Sequence, residues 1–352
     1  MKTLQLLNHS LQTIPVATSW YLSDLGEARG KQELYTKQSP QKLKVLREHA
    51  LIESAISSNR IEGVVIEQSR VGTVMFGKSR LRDRDEEAIR GYRNALKLIH
   101  EQGSKLPISE ATILRLHKLS HVGAGDAGQY KEKDGDIIEK YSDGRSRVRF
   151  KTVTAKKTPV FMRELVELWQ DALLERQIPP LIALAAMNLD FLCIHPFRDG
   201  NGRASRLLLL LQSYHLGFEV GRYISLERLI EESKDRYYET LEQSSQGWHE
   251  GKHDPWPYIN YVLFIFKSAY REFEERVGQI AEPRGAKLEI VKIAIERTNT
   301  PFRITDLQRA CPSVSIDWIR QVLKGMRETG QVECLGRGQS AQWQKTQKWG
   351  IR

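Results

Sequence analysis

The chain has little sulfur: three cysteines, Cys193, Cys311 and Cys334, in 352 residues. An odd, widely spaced set gives neither a disulfide framework nor a cysteine–zinc cluster, and it suits a reducing cytosol. Long apolar runs are lacking as well. LLLLL at 207–211 and YVLFIF at 261–266 fall far short of the roughly 20 residues that a membrane span needs. The opening MKTLQLLNHSLQTIPVA is interrupted by Asn8, His9, Ser10 and Gln12, which makes a poor signal peptide. Glycine and proline are modest, 25 and 12 residues, and hydrophobic residues reach 40%, which excludes disordered, collagen-like and low-complexity architectures. The composition reads as a folded cytoplasmic protein without a membrane partner, long enough for two or three domains.

What the chain has in excess is positive charge, 54 Lys and Arg against 44 Asp and Glu. From Pro283 to Arg352, 13 basic residues face 6 acidic ones, a net of +7, whereas the preceding 282 residues carry a net of +3. A concentrated basic segment is the electrostatic footprint of a polyanion partner. A merely solvated basic tail is the plain alternative.

Apolar spacing predicts helices over 41–61, 84–102, 109–122 (with Ser109 as cap), 159–177, 180–194, 203–216, 225–245 and 257–276, while residues 1–40 read weakly. Between them, GAGDAGQYKEKDGDIIEKYSDGRSRVRFKTV at 123–153 is rich in Gly and Asp with short β-branched runs, an irregular segment or a short hairpin. After EPRG (282–285), taken as a linker, the pattern changes. A helix over 286–298, a second with Thr305 and Gln308 as a capping box, and a third capped by Ser315 precede two alternating runs, QVECL and SAQWQ, joined by Gly336-Arg337-Gly338. That is the order of a winged helix-turn-helix domain, over 286–346. Arg320, Lys324 and Arg327 on its third helix and Arg337 at the wing tip would meet DNA phosphates; the same fold also serves as a protein-contact or dimerisation module.

The chemistry concentrates at His195-Pro196-Phe197-Arg198-Asp199-Gly200-Asn201-Gly202-Arg203-Ala204-Ser205-Arg206. Pro196 ends one helix, and Gly200 and Gly202 permit a tight loop whose N–H groups turn inward ahead of the next helix. Free N–H groups and the helix dipole favour an anion there. Arg203 and Arg206, three residues apart on one face, suit a polyphosphate. Asp199 is a hard oxygen ligand of the kind Mg²⁺ takes when it also holds substrate phosphates, and His195 can accept a proton near neutral pH. Read as chemistry, this is phosphoryl or nucleotidyl transfer. Taken singly, the histidine as a helix cap, the glycines as a turn and the arginines as a solvated helix start are each credible; all of them holding together within twelve residues is not.

HPFRDGNGRASR resembles the signature of the Fic (Fido) family, His-x-Phe-x-Asp/Glu-Gly-Asn-Gly-Arg-x-x-Arg, at every specified position. The resemblance extends over roughly 40–275, through LHKL at 116–119, GQYK at 128–131 and SLERLIEESKDRYYETL at 225–241. It implies an all-α catalytic core over 101–276 with a small β-hairpin flap near 146–161, behind an N-terminal helical region, 1–100. It also implies transfer of AMP from ATP to a Ser, Thr or Tyr hydroxyl of a protein, the enzyme itself included. His195 would be the general base, Asp199 the Mg²⁺ ligand, and Gly200, Asn201 and Gly202 the α-phosphate anion hole. Arg203 would hold the β-phosphate, Arg206 the γ-phosphate, and Phe197 would anchor the core. Lys131 stands where the family usually has Arg, and Asn188 where a His is common. Lys151, Lys156 and Lys157 would make the flap basic, favouring an acidic target surface. Tyr237 and Tyr238 are candidates for the adenine pocket, with core packing an equal reading for at least one of them; Trp248 and Trp256 read as packing residues.

A second resemblance lies at Ser58-Asn59-Arg60-Ile61-Glu62-Gly63, similar to the family's inhibitory motif Ser/Thr-x-x-x-Glu-Gly/Asn and placed at the end of a helix over about 41–63. A Glu62 carboxylate paired with Arg206 would occupy the guanidinium that should take the γ-phosphate. In some relatives such a glutamate also positions a water that removes AMP. Two rival readings stay open: a DNA-binding regulator of toxin–antitoxin type whose core is secondary, and a transferase using another phosphate-linked donor. A homodimer is compatible with each.

Overall fold

The computed structural model describes residues 2–349 apart from 11–12, 39, 78–79, 123–124, 141–143, 280–285, 299–300, 312–313, 337, 339–340 and 348. The 282–285 linker and Arg337 therefore lie outside the described residues. Helices α1 (Lys2–Ser10), α2 (Val16–Gln38), α3 (Pro40–Ile61), α4 (Val71–Phe76), α5 (Arg84–Gln102) and α6 (Glu110–Ser120) lead to an antiparallel hairpin, β1 (Ile137–Lys140) and β2 (Ser146–Phe150). Six helices follow: α7 (Thr158–Glu175), α8 (Pro180–Ile194), α9 (Asn201–His215), α10 (Leu226–Glu232), α11 (Lys234–Ser245) and α12 (Trp256–Gln279). The body is thus mostly helical with one small hairpin.

At its centre, α8 packs on α9. Residues 181–194 of α8 are all buried, as are 203–214 of α9. Helices buried around their whole circumference have no solvent face, so these two form the axis on which the others pack. The loop joining them, 195–200, is thereby set in the middle of the molecule.

The N-terminal helices, faint in the sequence, are tied down by polar groups. The buried face of α2 carries Thr18, Leu25 and Gln32, seven residues apart. Thr18 Oγ1 donates to Asn260 Oδ1 at 2.7 Å, and Gln32 Oε1 accepts from Tyr270 Oη at 2.7 Å and from the Glu219 N–H at 2.9 Å. Asp190, fully buried on α8, accepts the N–H groups of Thr3 and Leu4 at 2.9 and 3.0 Å and Trp248 Nε1 at 2.6 Å. A carboxylate at a helix N-terminus satisfies orphan donors and the dipole together, which fixes α1 to the core.

After α12 come α13 (Ala286–Glu296), β3 (Phe302–Arg303), α14 (Ile304–Ala310), α15 (Ile316–Glu328), β4 (Val332–Leu335) and β5 (Gln342–Lys345), with sheet order β3-β5-β4, all antiparallel. This part has its own hydrophobic cluster, built on residues such as Val291, Ile319, Leu323 and Trp343. Ser315 caps α15, accepting the Trp318 N–H at 3.3 Å. The capping box expected at Thr305 and Gln308 is not the one formed. Helix α14 starts earlier, and Asp306 Oδ2 accepts the Arg303 N–H at 2.9 Å, because β3 ends at Arg303 and the chain enters the helix directly from it.

The C-terminal part rests on α3 and α4. Val45 of α3 packs into its core, Arg297 pairs with Glu53, and Arg309 Nη1 donates to the Ser69 carbonyl at 3.2 Å. Glu53 also lies 3.6 Å from Arg228 of α10. Replacing Arg297 by Ala is expected to speed amide exchange across 45–53 by about tenfold, since 1.4 kcal/mol corresponds to a factor of 10. Exchange within α15 should stay unchanged. Hydrogen-exchange mass spectrometry of the two chains checks this.

Candidate functional site

Helix α8 ends at His195, which takes a left-handed conformation (φ 53°) while its N–H donates to the Phe191 carbonyl at 3.0 Å. Gly200 turns the chain again at φ 77° and starts α9 without any side-chain cap. Gly202, expected to shape the loop, lies instead inside the first turn of α9, where its role is close approach. A Cβ there would stand 2.2 Å from Glu62 Oε1.

The loop between α8 and α9 is held by its own side chains, by Asn201 and by α6. Asn201 brackets Phe197: its Oδ1 accepts the Phe197 N–H at 2.9 Å and its Nδ2 donates to the Phe197 carbonyl at 2.8 Å. The Asn201 side chain is therefore committed to the loop, and what it can offer an anion is its backbone N–H. Phe197 is buried and stacked on His117, centroids 3.7 Å apart. His117 Nδ1 accepts the Gly128 N–H at 2.9 Å, which places the ring proton on Nε2, from where it donates to the Asp199 carbonyl at 2.9 Å. LHKL at 116–119 carries the family resemblance, but the sequence alone gives His117 no role. Its signal was a histidine on the buried face of α6, between Ile113 and Ser120.

The two arginines diverge, contrary to the shared face expected of them. Arg206 Nε donates to Ser58 Oγ at 2.9 Å, and Nη2 donates to the Ser58 carbonyl at 2.9 Å and to Glu62 Oε1 at 2.7 Å. Gly63 (φ 84°) ends α3 just past this contact. Arg203 turns toward α6, donating to the Ser120 carbonyl at 3.2 Å and lying 3.1 Å from His121 Nδ1 and 3.5 Å from Asp199. Residues three apart differ by about 60° around a helix, and on a helix buried on all sides that is enough to reach different neighbours. Arg203 Nε and Arg206 Nη1 are buried without a hydrogen-bond partner.

Two cavities flank this turn. One, of about 220 Å³, is lined by Glu62, His195, Gly202, Arg206, Tyr237 and Tyr238 together with Arg149 and Phe150 of β2. The other, of about 460 Å³, holds Asp199, Arg203, His121 and Arg198. Tyr237 is buried among Tyr258 and Tyr261 and serves packing as much as lining, whereas Tyr238 is half-buried with the Arg149 guanidinium 5.4 Å from its ring centre. Arg149 and Arg147 also pair with Glu242 of α11, at 3.5 and 2.7 Å. None of these three was singled out in the sequence. The hairpin spans 137–150, and 158 onward is α7, so the flap begins earlier and ends sooner than the expected 146–161. Lys156 and Lys157 precede α7 and lie outside it, because Pro159 in the first turn starts a helix there.

The two departures from the resembled pattern both have partners. Asn188 Nδ2 donates to the Ser205 carbonyl at 2.8 Å and its Oδ1 accepts from Tyr258 Oη at 2.7 Å, joining α8, α9 and α12. Lys131 reaches Thr152 and the carbonyl of Ile194.

Electrostatically the site is built to keep its histidines neutral. Burial, then the Lys131 charge, lowers the His195 pKa to about 4, and burial lowers that of His117 to about 4. Because these folded-state values lie below the ordinary 6.5, the unfolded chain binds the extra protons first. The stability they support is present above pH 6.5 and is lost as pH falls toward 4. For His117 alone the loss is on the order of 3 kcal/mol. A His117→Gln chain should start less stable yet show a shallower decline of melting temperature between pH 6.5 and 4, measured by circular dichroism.

Residues 107–213, which include the whole loop and most of α9, match the model of the Fic/DOC family. Among solved structures, the chain is similar to a Fic family protein from Desulfovibrio desulfuricans G20, at 22% identity over 97% of this chain and 98% of that one, with a TM-score of 0.62. It is similar to a Fic domain containing signaling protein from Bacteroides thetaiotaomicron VPI-5482, at 20% identity over 74% of this chain and 100% of that one, TM-score 0.61. It is also similar to Fic-1 from C. elegans, at 18% identity over 75% of this chain and 74% of that one, TM-score 0.58. Within residues 107–213, the loop and the start of the helix it opens thus match a Fic/DOC family domain, and the fold around them is that of the Fic structures.

Proposed function

We propose that this chain is a protein adenylyltransferase that moves AMP from ATP to a Ser, Thr or Tyr hydroxyl of a protein, itself included, and that Glu62 restrains it. The observation that carries the reading is the uncapped N-terminus of α9 with two guanidinium nitrogens, Arg203 Nε and Arg206 Nη1, buried and unpartnered beside it. An uncapped helix start and unsatisfied guanidinium donors are complementary to phosphate oxygens and to little else. Backbone N–H groups of Asn201 and Gly202 would take the α-phosphate, and the arginines the phosphates beyond it.

His195 is neutral at physiological pH and can accept the proton of the incoming hydroxyl. As the hydroxyl oxygen bonds to the α-phosphorus, the bond between that phosphorus and the bridging oxygen breaks and pyrophosphate leaves. The proton remains on His195. The phosphates raise the basicity of His195 as they arrive, offsetting its burial.

Asp199 fits a Mg²⁺ ion brought by the nucleotide. Its carboxylate is largely exposed at the loop's edge, and among the described residues no group of three or more His, Cys, Asp or Glu side chains could hold a metal without a substrate. Mg²⁺ is commonly held by one or two carboxylates plus phosphates, and it would supply charge neutralisation on them.

Glu62 supports self-restraint because its carboxylate lies over Gly202 and takes the Arg206 donor that a phosphate would use. With radiolabelled ATP, Glu62→Gly is expected to raise incorporation into the protein about tenfold or more. Adding His195→Ala should abolish it. Equal labelling by wild type and Glu62→Gly would sink the restraint, and labelling that survives His195→Ala would sink the mechanism. Competition by other nucleotides tests the donor, and release of AMP from labelled protein by wild type tests the reverse activity.

DNA binding by the C-terminal part is a second reading, favoured by one placement. Helices α13 and α14 make the contact with α3 and α4, whereas Arg320, Lys324 and Arg327 on α15 are exposed. A helix, strand, helix, helix and hairpin in that order is a winged-helix arrangement whose third helix is free to enter a major groove. In gel shifts with the chain's own promoter region, changing these three residues to Ala should reduce the salt slope of binding by about 3. An unchanged slope would assign the module to a protein contact.

A further inference from the structure

We propose that Lys131 is a positioning residue that fixes the turn carrying His195 and the stem of the β1–β2 hairpin to a single side chain, so that the base and the acceptor chain stay in register. The proposal rests on the transferase reading of His195.

His195 needs such support. Apart from Arg176 it is the one non-glycine among the described residues at positive φ, a conformation that L side chains adopt only where the surroundings impose it. Lys131 holds both sides of that turn. Its ammonium donates to the Ile194 carbonyl at 3.2 Å, and its backbone N–H donates to the Pro196 carbonyl at 2.9 Å. The residues before and after His195 are therefore bonded to one residue of a different segment.

The same ammonium donates to Thr152 Oγ1 at 2.7 Å, two residues past β2. Thr152 Oγ1 in turn donates to the Gly135 carbonyl, two residues before β1. This pair closes the stem of the hairpin. Any chain that pairs along β1 or β2 is then placed relative to His195 through two hydrogen bonds, Thr152 to Lys131 and Lys131 to Ile194.

The charge of Lys131 belongs to the arrangement. It is 7% exposed; burial lowers its pKa to about 8, against the pull of Asp134 and Asp136, so the ammonium still predominates at neutral pH. The charges of Lys131, Glu62 and Asp199 act on His195, and Glu62, Arg206, Arg149 and Glu242 line the cavity beside it. Lys131 is the cation that lowers the His195 pKa and so favours the neutral imidazole. Among the described residues no hydrogen bond or ion pair joins Lys131 to the first turn of α9, so losing it should cost alignment and not nucleotide affinity.

The test uses the full chain carrying Glu62→Gly and follows radiolabel from ATP into the protein. With Lys131→Met added, labelling at saturating ATP should fall about 10²-fold, the scale expected when reacting groups shift by about 1 Å. The ATP concentration for half-maximal labelling should stay within about twofold, and Lys131→Arg should retain activity within about tenfold of the Glu62→Gly parent. Labelling by Lys131→Met within about threefold of the parent, or a loss that appears only as a raised ATP requirement, overturns the proposal. If Lys131→Met does not fold, Thr152→Val carries the test. It removes the stem contact alone and should slow labelling about tenfold, and an unchanged rate overturns the proposal. If the parent itself takes up no label, the transferase reading fails, and the positioning claim is read separately by NMR of the His195 ring. Lys131→Met should then move its resonances and raise its pKa, and an unmoved ring overturns the claim.

Discussion

A guanidinium buried as deeply as that of Arg206, on a helix with no solvent face, must have an anion beside it. Breaking a buried ion pair by removing one partner typically costs about 3–5 kcal/mol. In this chain the anion arrives from α3, and everything about the contact is arranged for it. Gly202 leaves the space, Ser58 presents both a hydroxyl and a carbonyl, and Gly63 ends the helix one residue past Glu62. The site and its neighbouring helix are thus one electrostatic unit. The position of α3 follows from the charge of a residue 144 positions away.

The consequence reaches further because α3 has a second occupied face. Val45 and Glu53 meet the C-terminal part, and Ser58 and Glu62 meet α9. From Glu53 to Glu62 is nine residues, about 14 Å of rigid helix at 1.5 Å per residue. A helix gripped at both places cannot tilt at one without straining the other. That gives the basic module a mechanical connection to the loop at 195–200, even though its exposed arginines and lysine lie on a different helix.

Much of this was legible in the residues, and what escaped did so for definable reasons. The largely apolar stretches at 181–194 and 204–214 read as helices in the sequence, and the loop between them stands out by its residue types and spacing. Helix α2 is faint in the sequence because its buried face uses Thr18 and Gln32, which hydrogen-bond Asn260 and Tyr270 of α12 and contribute nothing to apolar periodicity. The divergence of Arg203 and Arg206 was invisible because spacing gives the angle between two side chains but not which neighbour each one meets. The family resemblance makes Asn201 part of an anion hole, and only the fold shows that its side-chain amide pins Phe197, leaving its backbone N–H for that role. Lys131 looked like a tolerated departure, and only the fold brings it against residues 63 positions ahead.

The contact between Glu62 and Arg206 is strong enough to order α3 and still open to exchange. One carboxylate oxygen engages one guanidinium nitrogen, Oε1 to Nη2, and Nη1 is left unpartnered. A bidentate pair would use both nitrogens and be harder to displace. Glu62 is moreover 31% exposed where Arg206 is 3% exposed, so water regains the carboxylate readily while the guanidinium stays where it is. A phosphate brings three oxygens and can satisfy Nη1 and Nη2 together. In the proposed function the competition would therefore be set by geometry, because an incoming phosphate would offer the buried charge more hydrogen bonds than the resident carboxylate, and the carboxylate has somewhere to go.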